Sequence, residues 1–370
     1  MKISIERAAL LPALSVVGGV VERRQTLPIL GNLLLTAEDG GVRFRGTDLE
    51  IEITSGAPAE VGEGGSVTLP ARKLVDIVRS LPEDGVVDIR SQGERATLVC
   101  NRSRFTLSTL AAGDFPSMEV PEPEVTLTLE RELLRRLLDK TAFAMAHQDV
   151  RYYLNGVLLE LIAGRIIAVA TDGHRLAKVV GAADAVGAGV DGDGKQVIVP
   201  AKTVSELKRL LAGAPERVCL ELSDRTLRVE LGETVLVSKL VEGQYPDYSR
   251  VIPSGLEREA KVDKERLRGA LQRTAILSNE KYKGVRVTFD RGRLTLQTQN
   301  PEKEEAEDEV EIDYDGERVA VGFNVAYVLD VLSAVDVGEV AIEFQGAESS
   351  ALWRGSDADD EVFVIMPMRL

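Results

Sequence analysis

The sequence predicts an α+β protein built from three copies of one domain-sized unit, each with two helices packed on β-sheets. Three observations lead there. A short strand followed by a helical pattern opens each third of the chain, at Ile3-Ser4-Ile5-Glu6-Arg7, Leu127-Thr128-Leu129-Glu130-Arg131 and Ala260-Lys261-Val262-Asp263-Lys264. A second strand-to-helix unit recurs, with Val67-Thr68-Leu69-Pro70-Ala71-Arg72-Lys73-Leu74 matching Val197-Ile198-Val199-Pro200-Ala201-Lys202-Thr203-Val204. Its third copy is weaker, at Val319-Ala320-Val321-Gly322-Phe323-Asn324-Val325-Ala326. The first two copies also end alike, Ser108-Thr109-Leu110 before Asp114-Phe115-Pro116 and Ser238-Lys239-Leu240 before Gln244-Tyr245-Pro246. A period of roughly 120–130 residues is too long for a solenoid, so each copy is a domain.

Each element has its own signal. After the opening strands, leucines fall at helical spacing: Leu10, Leu11 and Leu14; Leu133, Leu134, Leu137 and Leu138; Leu267 and Leu271. The first of these helices is expected over Glu6–Arg24. Pro70 and Pro200 stand where a strand stops and a helix starts, which suits a fixed φ and a missing N–H. Between the helices lie alternating patterns such as Arg225-Thr226-Leu227-Arg228-Val229-Glu230-Leu231, which read as hairpin strands. Linker chemistry near Pro121–Pro123 and Pro253–Gly255 places the domains at 1–121, 122–253 and 254–370.

Composition bounds the function classes. The chain is 44% hydrophobic and 28% charged, enough apolar residue for real cores. Cys100 and Cys219 lie far apart in strand-like runs, so a disulfide framework is not indicated and a reducing compartment fits. The longest apolar stretch, Ala8–Val21, holds Pro12, Gly18 and Gly19 and is shorter than a membrane span. A secretory signal is a poor reading, and a cytoplasmic location is expected.

The net charge of −15 argues against general attraction to nucleic acid, so any such contact needs a locally basic surface. The predicted helices supply one. Segments 72–79, 202–209 and 263–273 each carry +2, 130–140 and 6–24 each carry +1, and only 324–335 is negative, at −1. The six helices therefore sum to +7 and the remainder to −22. Helices that share one side of the sheets make that side basic and able to hold a phosphate backbone without reading bases. A second asymmetry runs along the chain. An acidic run, Glu302-Lys303-Glu304-Glu305-Ala306-Glu307-Asp308-Glu309, stands in the last third, and Arg102-Ser103-Arg104-Phe105 stands on a strand pattern in the first. Opposite edges of this kind suit a head-to-tail contact, which closes into a ring when the rotation permits.

No catalytic constellation emerges. Thr171-Asp172-Gly173-His174-Arg175 is a tight turn with a polar cluster, and an Asp beside a His could be half of an acid–base pair. No serine or cysteine elbow accompanies it. His and Cys are too few and scattered for a metal site, and no phosphate-binding glycine loop is present. Asp191-Gly192-Asp193-Gly194 weakly resembles part of a calcium loop, but the distal glutamate spacing fails. No cofactor is expected.

Several longer strings carry a family resemblance. They are Arg24-Gln25-Thr26-Leu27-Pro28-Ile29-Leu30-Gly31-Asn32, Ala144-Met145-Ala146-His147-Gln148-Asp149-Val150-Arg151-Tyr152-Tyr153-Leu154-Asn155-Gly156, Thr171-Asp172-Gly173-His174-Arg175-Leu176-Ala177, Ile276-Leu277-Ser278-Asn279-Glu280-Lys281 and Met366-Pro367-Met368-Arg369-Leu370. Together, in order and over the whole chain, they resemble the bacterial DNA polymerase III β subunit family, the sliding clamps. The resemblance implies three similar domains per chain and a head-to-tail dimer closed into a ring. Sheets lie outside, basic helices line the hole, and duplex DNA is held by topology. It implies tethering of the DNA polymerase III catalytic subunit, opening by a clamp loader, and binding of other proteins with a clamp-binding motif.

By resemblance, Arg24, His147, Gln148, Arg151, Tyr152 and Tyr153 approach DNA; Arg72, Arg79 and Lys202 on the basic helices are expected to join them. The implied site for partner peptides comprises Leu154, Thr171, Gly173, His174, Arg175, Leu176, Pro246, Arg250, Val251, Asn324, Tyr327, Val364, Met366, Pro367, Met368, Arg369 and Leu370. Methionines make such a surface adaptable. The implied ring contact places Lys73, Arg102, Arg104, Phe105 and Leu107 on one edge and Ile276, Leu277, Glu302, Glu304 and Glu305 on the other. Departures from the family pattern fall in hairpin tips, in the Gly/Ala-rich loop Gly181–Gly194, and at Glu348 beside the expected pocket. Two competing readings stay open here: an accessory paralogue of the same fold, and a hydrolase using Asp172 and His174.

Overall fold

The computed structural model describes residues 1–22, 27–38, 40–162, 164–183, 194–356 and 358–369. Arg24, Leu370 and most of the loop Gly181–Gly194 lie outside them. The chain forms two compact units that interleave in sequence: Met1–Glu132 with Lys202–Leu240, and Leu133–Ala201 with Val241–Leu370.

Six α-helices occur among the described residues: α1 (Arg7–Gly18), α2 (Ala71–Ser80), α3 (Arg131–Asp139), α4 (Ala201–Leu211), α5 (Lys264–Ala275) and α6 (Val325–Ala334). Each buries one stripe at helical spacing, such as Leu10, Ala13, Leu14 and Val17 in α1 and Leu134, Leu137 and Leu138 in α3. α1 is shorter than expected. It stops at Gly18, before Gly19, because consecutive glycines weaken a helix and the chain turns there. The sequence alignment of the third copy also needs correcting by two residues. Strand Val319–Asn324 runs into α6 as Gly65–Pro70 runs into α2, so Val321 matches Val67 and Asn324 stands where Pro70 does. Asn324 starts α6 by a different device. Its side-chain oxygen accepts from the Ala326 and Tyr327 amides.

The first unit holds two antiparallel sheets. One runs Glu60–Glu63, Lys2–Glu6, Val86–Gln92, Arg95–Cys100, Ser103–Ser108. The other runs Val125–Glu130, Arg217–Leu222, Thr226–Leu231, Thr234–Lys239, Ile51–Pro58, Gly41–Thr47, Asn32–Glu38, Gly65–Pro70. In it Leu236 stands opposite Ile53, both fully buried, so strands from the first and second repeats share one ladder.

The second unit is organised on twelve strands, ordered Lys195–Pro200, Gly156–Ile162, Arg165–Thr171, Arg175–Ala182, Glu361–Ile365, Ala351–Gly355, Glu339–Phe344, Arg258–Asp263, Glu305–Asp313, Arg293–Gln299, Gly284–Asp290, Val319–Asn324. Here Leu176 pairs with Val364, joining the second repeat to the third. The junction is reinforced by ions. Lys140 and Glu361, 8% and 5% exposed at their side chains, pair at 2.5 Å, and Arg136 donates to the same carboxylate. Breaking such a buried pair from one side costs about 3–5 kcal/mol, which anchors the strand leading to the chain end. No helix among the described residues is long and apolar enough to cross a membrane.

Candidate nucleic-acid and peptide interfaces

One apolar cluster on the twelve-stranded sheet holds four of the expected peptide-site residues, Leu154, Leu176 and Val364 inside it and Val251 packed against it. Leu158 stands opposite both Val169 and Ile198, and these pack with Leu154, Ile167, Leu176, Tyr245 and Val364. Leu154, Leu176 and Val364 are buried within it. Val251, with Tyr248 and Ile252, is partly buried against it, and Pro246 and Arg250 are exposed.

A tight turn follows the strand Arg165–Thr171. The Thr171 hydroxyl donates to the Arg175 carbonyl at 2.6 Å and receives the Gly173 amide at 3.1 Å. Asp172 accepts from the His174 and Arg175 amides at 2.9 and 3.0 Å. Gly173 has φ +90°, where a side chain is strained, and a Cβ there would meet the Arg151 guanidinium at 3.1 Å. Asp172 is therefore a turn-builder whose carboxylate serves backbone amides and Arg175, not the His174 ring. That removes the orienting acid on which the hydrolase reading relied.

Several expected contact residues are engaged by the fold itself. The Arg175 side chain is about one-tenth exposed. Its guanidinium lies 4.3 Å from the Tyr327 ring centre and bonds Asp172, Asp330 and the Phe143 carbonyl. Asn324 caps α6. Beyond the last strand, the Met366 amide donates to the His174 carbonyl at 2.9 Å and the Met368 amide to the Gly322 carbonyl at 2.8 Å. The backbone is thus pinned while the Met366, Pro367 and Met368 side chains stay half-buried and Arg369 is exposed. Glu348 is exposed in the turn after Glu339–Phe344.

The His147–Tyr153 segment is built around Asp149. His147 and Gln148 are exposed, and Gln148 has φ +54°. Asp149 receives the Arg151 amide at 2.8 Å and its guanidinium at 3.0 and 2.7 Å. Asn155 brackets the Asp149 backbone with two hydrogen bonds. Arg151 also donates to the Asp172 carbonyl at 3.2 Å, so a residue expected at DNA supports the peptide-site turn as well. Tyr152 is 56% exposed and meets Tyr153 edge-on at 5.8 Å.

The hydrogen bonds from Arg151 hold the Asp149 carboxyl at about 2, below its ordinary 3.8. A depressed carboxylate pKa stabilises the folded loop above the ordinary value, and that contribution fades as pH falls through about 2. We expect Arg151→Ala to return the Asp149 titration toward 3.8, read from its carboxyl carbon shift in NMR. An unchanged titration would remove this pair as the loop's organiser.

In the first unit, Arg72 and Arg79 stand exposed on α2, Arg79 at 3.9 Å from Asp76. Lys202 is differently placed. Its ammonium is held by Glu22 and Asp48, so its charge is already matched and it is a poor phosphate group. Arg209, from the same helix, donates to the Val16 carbonyl at 2.7 Å and caps α1, which has no basic residue in its own last turn.

Two strand edges carry the expected ring contact. Among the described residues, Ser103–Ser108 ends its sheet, paired only with Arg95–Cys100. Arg102, Arg104 and Lys73 are exposed and Phe105 is half-buried, whereas Leu107 is 8% exposed and packs within its own sheet. In the second unit, Glu305–Asp313 pairs along its length with Arg293–Gln299, but with Arg258–Asp263 only near Ile312 and Asp313. Its first half is an open edge. Ile276, just past α5, is 77% exposed, Leu277 is half-buried, and Glu302, Glu304 and Glu305 are exposed.

Comparison with known proteins bears on all of this. Residues 1–119, 128–247 and 249–369 match the N-terminal, central and C-terminal domains of the DNA polymerase III beta subunit. The chain belongs to the DNA polymerase III beta subunit family. It is 47% identical to the beta sliding clamp of Pseudomonas aeruginosa and 42% to that of Escherichia coli K12, with 100% of both chains covered in each case. The crystal structure of the P. aeruginosa DNA polymerase III subunit beta superposes with a TM-score of 0.96 over both whole chains. A DnaN sliding clamp from Bartonella birtlesii bound to griselimycin, 36% identical, also gives 0.96 over both whole chains. As a beta subunit, the chain has the three-domain architecture of this family and its non-catalytic role.

Sequence reasoning missed the residues that build the site without touching its surface. Tyr248 and Glu160 are examples. The turn at Asp172 was legible, but Glu160 looks like any outward residue of a strand.

Proposed function

We propose that this chain is a processivity clamp. Two copies close head to tail around duplex DNA and tether the DNA polymerase III catalytic subunit, and a clamp loader opens the ring. The observation that carries the reading is the match of all three beta subunit domains, in order, along a chain fully covered by its beta sliding clamp relatives. The domains are 1–121, 122–253 and 254–370. Arg24, Arg72, Arg79, His147, Gln148, Arg151, Tyr152 and Tyr153 face DNA, while Lys202 is engaged by Glu22 and Asp48. The cluster around Leu154, Leu176 and Val364, rimmed by Val251 and the tail Met366–Leu370, receives peptides of the polymerase and of other clamp-binding proteins. The open edges at Ser103–Ser108 and Glu305–Asp313 pair in the ring, with Phe105, Ile276 and Leu277 supplying apolar contact and the charges setting register. The chain works in the cytoplasm.

A net charge of −15 is compatible with this, because topology replaces affinity. Few phosphate contacts mean weak, sequence-blind binding that permits sliding. The test is retention on nicked circular DNA after loading, before and after the circle is cut. We expect loss only on linearisation. Equal retention on both forms would mean ordinary binding and would end the ring reading.

A further inference from the structure

The segment Val241–Ile252 crosses the apolar cluster and supplies one wall of the peptide pocket, and two tyrosines hold it there. Tyr245 is 6% exposed within the cluster, and its hydroxyl donates to no acceptor, although its oxygen lies by the Thr171 backbone amide. It contributes chiefly apolar burial. Tyr248 is different. Its ring packs at the cluster edge, Lys178 Nζ lies 5.6 Å from the ring centre, and its hydroxyl donates to Glu160 Oε2 at 2.6 Å. Glu160 is itself held, because its other oxygen accepts from the Gln196 side-chain Nε2 at 2.6 Å on the adjacent strand. Tyr248 opens the 3-10 turn Tyr248–Arg250, which Asp247 caps through the Ser249 amide, and Val251 follows directly. Asp247 also holds the Arg250 guanidinium at 2.9 Å.

We propose that Glu160 is a positioning residue for partner binding: by accepting the Tyr248 hydroxyl, it holds the turn that sets Arg250 and Val251 at the pocket. Neither Glu160 nor Tyr248 needs to touch the peptide. A charge-assisted hydrogen bond gives the wall a defined position that packing alone does not. Burial and the Glu160 bond keep the Tyr248 phenol protonated far above neutral pH, so the donor is always present. This inference rests on the pocket assigned under the proposed function.

The experiment uses the full chain, with the DNA polymerase III catalytic subunit as probe in surface plasmon resonance. Glu160→Ala and Tyr248→Phe should each weaken binding about tenfold, the loss expected for one charge-assisted hydrogen bond. The double variant should be no weaker than either alone, because both remove the same bond. Glu160→Gln keeps an acceptor without the charge and should recover a clear part of the lost binding. Retention on circular DNA should not change in any of them. Unchanged binding in Tyr248→Phe overturns the proposal, as does failure of Glu160→Gln to rescue. If the unaltered chain itself fails to bind the polymerase, the pocket assignment falls instead.

Discussion

Ile276→Ala combined with Leu277→Ala converts the expected dimer to monomers. Ile276 is 77% exposed in the single chain, a large apolar group with nothing to cover it inside the protomer. Fully burying a side chain of this size contributes about 1.5–3 kcal/mol, and Leu277 is already half-buried, so truncating both removes roughly 2–4 kcal/mol from each contact. A two-chain ring contains that contact twice. The surrounding carboxylates of Glu302, Glu304 and Glu305 cannot compensate, because exposed ion pairs contribute about 0–1 kcal/mol each. Sedimentation velocity at micromolar concentration reads the outcome. A dimer that survives both truncations would sink the interface assignment.

Removal of Met366–Leu370 abolishes polymerase binding and leaves the ring intact. The last strand, Glu361–Ile365, keeps its pairing with Arg175–Val179 and with Ala351–Trp353, so the sheet does not lose a member. What goes is the half-buried Met366, Pro367 and Met368 surface and two backbone bonds, to His174 and Gly322. Losing two or three apolar side chains from the contact lowers affinity by about a hundredfold or more. The deletion is read by surface plasmon resonance against the catalytic subunit, with sedimentation as the control for the ring. Full-strength binding by the truncated chain would remove the proposed pocket.

The repeat architecture was legible because it rests on local signals. The strand-to-helix switches at Pro70 and Pro200 are written in single residues. The third copy read weakly because Asn324 starts α6 through a side-chain cap and not through a proline, and the apparent match slipped by two positions. The two edges were legible in composition, through the basic Arg102-Ser103-Arg104 run and the acidic run from Glu302, whereas the tail was legible only through the resemblance. The engagement of particular charges did not. Lys202 counts as +1 on a helix, yet Glu22 and Asp48, from elsewhere in the sequence, neutralise it. Arg175 looked available for a ligand and is enclosed by Phe143 and Tyr327. Such pairings depend on which strands and loops become neighbours, and that information is not local.

The shared ladders have a consequence for how this chain could have been assembled and how it comes apart. The segment that repeats in the sequence is not the segment that is compact in space: each compact unit holds one whole repeat and part of the middle one. Leu236 beside Ile53, and Val364 beside Leu176, are hydrogen-bonded neighbours across repeat boundaries. Cutting the gene at those boundaries would not release three modules. It would expose raw ladder edges, with unpaired amides and buried leucines, on every fragment. Cooperative loss of structure should therefore follow the two spatial blocks, and the middle repeat, divided between them, has no stability of its own to lose.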